Sequence, residues 1–175
     1  GCDYTPEVSR WARYYTDDES AFVARLKHAL LFLLLVAEQV EQRDLPGEFA
    51  LLPYLESNYH PLPSHGDRSA GMWQLVPDTA REAGLRVAVD YDERLDAIAS
   101  TTAALDLLAR YFKRFADGRR ADMAFNSGEF RGKQLLGAGD ARSLPADELG
   151  RIPFNRMTHP HLDRLLPQCC ILDDA

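Results

Sequence analysis

Leu45-Pro46-Gly47-Glu48-Phe49-Ala50-Leu51-Leu52-Pro53-Tyr54-Leu55-Glu56-Ser57 reads as a helix with one proline at its start and another inside it. Leu45-Pro46-Gly47 breaks the pattern that precedes it. Pro46 then opens the helix, because a proline is tolerated in a first turn. Phe49, Leu52 and Leu55 recur at helical spacing, and the helix ends near Ser57. Pro53 removes a backbone donor mid-helix and is expected to kink it. On this helix Leu52 and Pro53 share a face with Glu56, at i−4 and i−3. A carboxyl group is thereby held among apolar side chains near the negative end of a helix dipole. Both surroundings disfavour its ionised form, which suits a general acid. Read alone, a glutamate at a helix end is more often a partly exposed surface acid.

Outward from this stretch the chain reads as helix after helix. Upstream, residues 20–43 carry Phe22, Leu26, Leu30, Leu33 and Val40 at helical spacing. The apolar run 29–37, between His28 and Glu38, is nine residues long, too short to cross a bilayer, and is expected to be a buried helix. Downstream, residues 59–71 form a loop punctuated by Pro61, Pro63, Gly66 and Gly71. Pro77 opens a short helix that Gly84 closes. Residues 85–91, with Val87 and Val89, alternate enough for a short extended piece. Asp96 caps the next helix, whose stripe is Ile98, Leu105, Leu108, Phe112 and Phe115 and whose end is Gly118. A further helix leads to Phe125 and stops at Asn126-Ser127-Gly128. One more is expected at residues 161–166. The fold class is therefore mainly α. A single domain over residues 1–175 is expected, with an N-terminal helical region (1–45), a core (46–137) and a C-terminal extension (138–175).

Composition narrows the partners. The formal net charge of −7 argues against nucleic acid, which needs a basic surface, and leaves a carbohydrate polymer open. The three cysteines, Cys2, Cys169 and Cys170, cannot all pair within one chain. Cys2 also suits the lipidated residue of a bacterial lipoprotein. No signal peptide is visible, so the chain reads as cytosolic or already trimmed. His60, His65, His159 and His161 do not combine into a metal set, and no Gly-rich phosphate loop is present, so no cofactor is expected.

Two further motifs stand beside Glu56. Gly71-Met72-Trp73-Gln74, followed by Val76-Pro77-Asp78-Thr79-Ala80, joins a glycine that lets backbone approach a ligand to a tryptophan and an amide. Alone it is more often a turn with a core tryptophan and a surface glutamine. Ala124-Phe125-Asn126-Ser127-Gly128 ends a helix with an asparagine that suits a cleft. Alone it is an ordinary helix stop.

Together, in order and spacing, these blocks resemble the lytic murein transglycosylases, especially the membrane-bound lytic murein transglycosylase D group. That group shows Leu-Pro-x-Glu-Leu-x-Leu-Leu-Pro-x-x-Glu-Ser, Gly-Leu-Trp-Gln, Pro-x-Thr-Ala, Asp-Glu-Arg-x-Asp and Ser-Thr-x-Ala-Ala. Here the last two read Asp92-Glu93-Arg94-Leu95-Asp96 and Ser100-Thr101-Thr102-Ala103-Ala104. The resemblance covers about residues 20–132. It implies a lysozyme-like α-helical domain with a substrate cleft that takes a peptidoglycan glycan strand. It implies that Glu56 cleaves the β-1,4 bond between N-acetylmuramic acid and N-acetylglucosamine as general acid and base. The product is a 1,6-anhydromuramic acid end. Ser57, His65, Gln74, Phe125 and Asn126 fall on positions that contact substrate or orient the glutamate. The resemblance also implies a periplasmic location, with an outer-membrane lipoprotein as the form that a lipidated Cys2 would give. Oligomeric state is not legible in the sequence.

Three positions depart from the family pattern. Phe125 stands where a tyrosine hydroxyl is usual, His65 replaces a serine, and Arg68 replaces a glycine. They motivate an alternative, a catalytically impaired peptidoglycan-binding relative. A third reading is a hydrolase in which Asp67, Asp78 or Asp90 positions water.

Overall fold

The computed structural model describes residues 6–64, 66–127, 164–165 and 167–168. Six α-helices order residues 6–127: α1 (Pro6–Thr16), α2 (Glu19–Glu41), α3 (Leu52–Ser57), α4 (Pro77–Glu82), α5 (Ala97–Phe115) and α6 (Gly118–Ser127). Short 3-10 turns at Gly47–Leu51 and Glu93–Leu95 lead into α3 and α5. Among the described residues there is no strand, and no helix is long and apolar enough to cross a membrane.

Asp18 starts α2 by accepting the Ala21 amide at 2.9 Å. Its inward stripe is Phe22, Ala29, Val36 and Val40. The first three lie seven residues apart, two helical turns, and so stay on one face. The apolar run within α2 is buried on that side only. Leu31 is 81% exposed, Leu34 57% and Leu30 47%, which corrects the expectation of a buried helix there. A run of leucines says what a helix tolerates, and only its neighbours decide which face is covered.

Pro53 starts a helix where a kink was expected. The chain turns as a 3-10 helix through Gly47–Leu51, and α3 begins with Pro53 in its first turn. A missing N–H costs nothing there, because first-turn amides have no intrahelical acceptor. The C-terminus of α3 is closed by two successive left-handed residues, Asn58 (φ 52) and Tyr59 (φ 60). Their amides return to the carbonyls of Tyr54 and Pro53 at 3.1 Å each. Tyr59 then buries its ring, and its hydroxyl donates to Ala50 O at 2.7 Å.

Residues 85–93 make a tight reversal, with one isolated bridge between Val87 and Asp92, in place of an extended piece. Val89 at its tip is fully exposed. Asp96 caps α5 by accepting the amides of Ile98 (2.9 Å) and Ala99 (2.8 Å). The α5 stripe buries Leu105, Leu108 and Phe115, whereas Ile98 is 64% exposed in the first turn. Ala116, left-handed at φ 52, ends α5, and Gly118 opens α6. That corrects the assignment of the stop to Gly118. α6 packs along α5, and the core between α2, α3, α5 and α6 holds Phe49, Leu52, Trp73, Leu105, Leu108 and Met123. Phe49 meets Phe112 edge to face at 6.4 Å. Most of the expected C-terminal extension, including His159 and His161, lies outside the described residues, as do Cys2, Cys169 and Cys170.

Candidate active site

A groove of about 200 Å³ opens between α3, the 71–76 turn, α4 and the end of α6. Glu56, Gln74, Thr79 and Asn126 supply its polar groups. Trp73, Leu75, Val76 and Phe125 supply its apolar walls. Glu56 is the single acid among these lining residues, and it is partly buried on the last turn of α3.

The turn that carries Trp73 and Gln74 is held on every side. Ala70 and Leu75 exchange two backbone hydrogen bonds of 3.1 Å, closing a tight loop. Gly71 sits at φ +78 inside it, and a Cβ there would overlap the Arg94 carbonyl oxygen. Glycine is thus required twice, for its dihedral and for its lack of a side chain. Gln74 takes a left-handed backbone, φ 47, which turns its side chain back over the loop. Its amide nitrogen donates to Gly71 O at 2.7 Å, and its oxygen accepts from Ser69 Oγ at 3.0 Å. The side chain is therefore preset before any ligand arrives.

Trp73 is 1% exposed, and its indole N–H donates to Thr101 Oγ1 at 3.0 Å. It meets Phe125 edge to face, with ring centres 6.0 Å apart. These two rings tie the turn to α6 and place Phe125 and Asn126 at the groove. Ser57 faces inward instead: it is buried, and its hydroxyl donates to Met72 O at 2.8 Å. Ser57 is not among the residues lining the groove. What remains is the link it makes between α3, which carries Glu56, and the turn that carries Gln74.

Arg68 does not line the groove. Its side chain is exposed, and only its carbonyl is engaged, by Arg94. His65 lies outside the described residues. Asp67, Asp78 and Asp90 are exposed and absent from the lining; Asp78 pairs with Arg81 at 3.1 Å and Asp90 with Arg86 at 3.8 Å. The hydrolase reading loses its water-positioning candidates in this groove. Sequence reasoning passed over Leu75 and over the buried guanidinium of Arg94. Thr79 was quotable from its motif, and its place one turn behind Val76 on α4 was the available signal.

A larger cavity of about 460 Å³ opens beside α1, between Tyr14, Asp17, Arg25, Tyr54 and Arg164. Some of its polar groups serve the fold: Arg25 Nε donates to the Tyr54 hydroxyl at 3.2 Å, and Asp18 caps α2. Hydrogen bonds from the Ala21 amide and the Ser20 hydroxyl hold the Asp18 carboxyl below its usual range.

Comparison with known proteins identifies the family. A family model described as a transglycosylase SLT domain matches residues 34–143. The membrane-bound lytic murein transglycosylase D of Escherichia coli (strain K12) is 35% identical over 145 residues, 82% of this chain and 32% of that protein. The protein of the same name from Escherichia coli O6:H1 (strain CFT073) gives the same values. A protein of Alteromonas sp. (strain M-1) named for tributyltin chloride resistance is 38% identical over 101 residues, 57% of this chain and 49% of that one. The chain spans about a third of the length of the Escherichia coli relatives. It belongs to the transglycosylase SLT family, whose lysozyme-like helical fold it shares.

Proposed function

We propose that this transglycosylase SLT family member cleaves peptidoglycan by an internal transfer, with Glu56 as its general acid and base. The observation that carries the reading is the groove itself. One carboxyl group shares the groove with apolar walls and two amide side chains. Glu56 protonates the oxygen that bridges N-acetylmuramic acid and N-acetylglucosamine. It then takes the proton from the C6 hydroxyl of the muramic acid as that oxygen attacks the anomeric carbon. The chain breaks and a 1,6-anhydro ring forms, with no net change in atoms. The nucleophile belongs to the substrate, so the second carboxylate of ordinary glycosidases is not needed. Gln74 and Asn126 hold sugar hydroxyl and acetamido groups, and Trp73 with Phe125 forms the apolar wall. Residues 46–137 carry this chemistry. The name of the Escherichia coli relatives, which gives membrane-bound enzymes of murein, supports a site of action on the periplasmic side of the envelope.

The test is incubation with purified peptidoglycan and mass analysis of what is released. Anhydro-muropeptides are expected, and Glu56→Gln lowers their rate by about 10²–10⁴-fold, the usual worth of general acid–base catalysis. Products heavier by one water would replace the transfer with hydrolysis. A second reading rests on Phe125, which lines the groove without a hydrogen-bonding group. Tight binding of peptidoglycan with no release by the wild-type protein would establish that binding role.

A further inference from the structure

Arg94 is 2% exposed, an unusual place for a guanidinium, and nothing in the proposed chemistry uses it. Its Nε and Nη2 grip the Asp92 carboxylate, at 2.9 Å to Oδ1 and 2.7 Å to Oδ2. Its Nη1 reaches the other way, to the carbonyls of Arg68 (2.8 Å) and Leu75 (3.0 Å). Those two carbonyls bracket the loop that presents Trp73 and Gln74. The main chain of Arg94 completes the hold, because Gly71 packs directly against its carbonyl oxygen. Asp92 is itself anchored, with Arg94 N donating to Oδ1 at 3.0 Å. The 3-10 turn Glu93–Leu95 then runs straight into the cap of α5 at Asp96.

We infer that the Asp92–Arg94 pair is a positioning device for Gln74. The ion pair fixes the guanidinium, the guanidinium fixes both ends of the 68–75 loop, and the loop fixes the amide that lines the groove. Buried pairs of this kind are costly to desolvate and add little net stability over an apolar replacement. A planar fork that meets two carbonyls and a carboxylate at once supplies direction, which a lysine cannot match. This inference rests on the proposed function for its catalytic consequence, and on geometry alone for its structural one.

The experiment compares Arg94→Lys, Gln74→Ala and the double variant, with Asp92→Asn as a second route should Arg94→Lys not fold. Amide hydrogen exchange is read first, since it needs no activity. Faster exchange confined to residues 70–75, with α5 unchanged, supports the inference. A uniform rise across α5 as well overturns it. Turnover of peptidoglycan and calorimetric affinity for a soluble glycan oligomer are read next. Arg94→Lys is expected to lower kcat about ten- to a hundredfold, the scale of a small misplacement at a site. In the Gln74→Ala background the same change is expected to cost nothing further. Independent losses that multiply would reduce Arg94 to a role in the fold alone. A wild-type protein that neither binds nor cleaves would sink the proposed function, while local exchange in Arg94→Lys still decides the inference.

Discussion

α2 and the 58–96 segment solve the same problem by opposite means. α2 runs for 23 residues, satisfies its own backbone, and leaves Leu30, Leu31 and Leu34 facing outward. Among the described residues the segment 58–96 contains one α-helix, of six residues, and elsewhere supplements scattered backbone hydrogen bonds with side chains that hold its carbonyls. Arg94 grips two carbonyls, Ser57 a third, and Gln74 a fourth. Regular structure tolerates many side chains on its outer face, so α2 says little about function. An irregular loop needs a particular donor at each carbonyl, so its residue types are constrained wherever the groove is built.

Substitutions sharpen that contrast. The largest effect is expected from Gly71→Ala. A left-handed non-glycine residue costs roughly 1–2 kcal/mol, and an overlapping Cβ adds about 1–3 kcal/mol. Urea unfolding should show the sum; a change under about 1 kcal/mol would mean that the turn is softer than its geometry implies. Next comes Thr101→Val, which strips the acceptor from the buried Trp73 indole. An unsatisfied buried donor costs about 1–3 kcal/mol, read as a lower Tm. Unchanged stability there would place the turn's support elsewhere. Acid should also loosen the segment. Hydrogen bonds from Arg94 hold the Asp92 carboxyl below its ordinary 3.8. A depressed value adds stability above pH 3.8 that disappears as pH falls through the folded-state value. The stability gap between wild type and Asp92→Asn should therefore narrow progressively on acidification below about pH 4. A gap independent of pH would break the assignment. The smallest effect belongs to α2: Leu31→Ser, at an 81% exposed position, should stay within about 0.5 kcal/mol.

The same division explains what could be read from the sequence. Periodicity exposed α2 and α5, Asp96 announced its cap, and Pro77 with Gly84 bounded α4 almost to the residue. These signals are local, so a linear reading finds them. The groove's members Glu56, Gln74, Phe125 and Asn126 were legible through matched motifs, yet their motifs did not say which side chains face inward. Ser57 turned out to serve the loop, because its hydroxyl lies beside Met72, fifteen residues away. Ile98 kept the spacing of a core residue and is exposed, since none of the described residues covers the first turn of α5 on that side. Arg94 entered only as one position of a matched motif, and only folding brings Arg68 and Leu75 to it. Pro53 was expected to kink a helix and instead lies in the first turn of one, because the same missing donor marks both places.

The chain holds two tryptophans, Trp11 on α1 and Trp73 at the groove wall. The Trp73 indole is shielded from water, fixed by Thr101 and edged by Phe125. Its fluorescence is thus a built-in optical signal from the groove. With Trp11 replaced by phenylalanine, a shift in emission would time the arrival of a sugar without any dye attached to the protein.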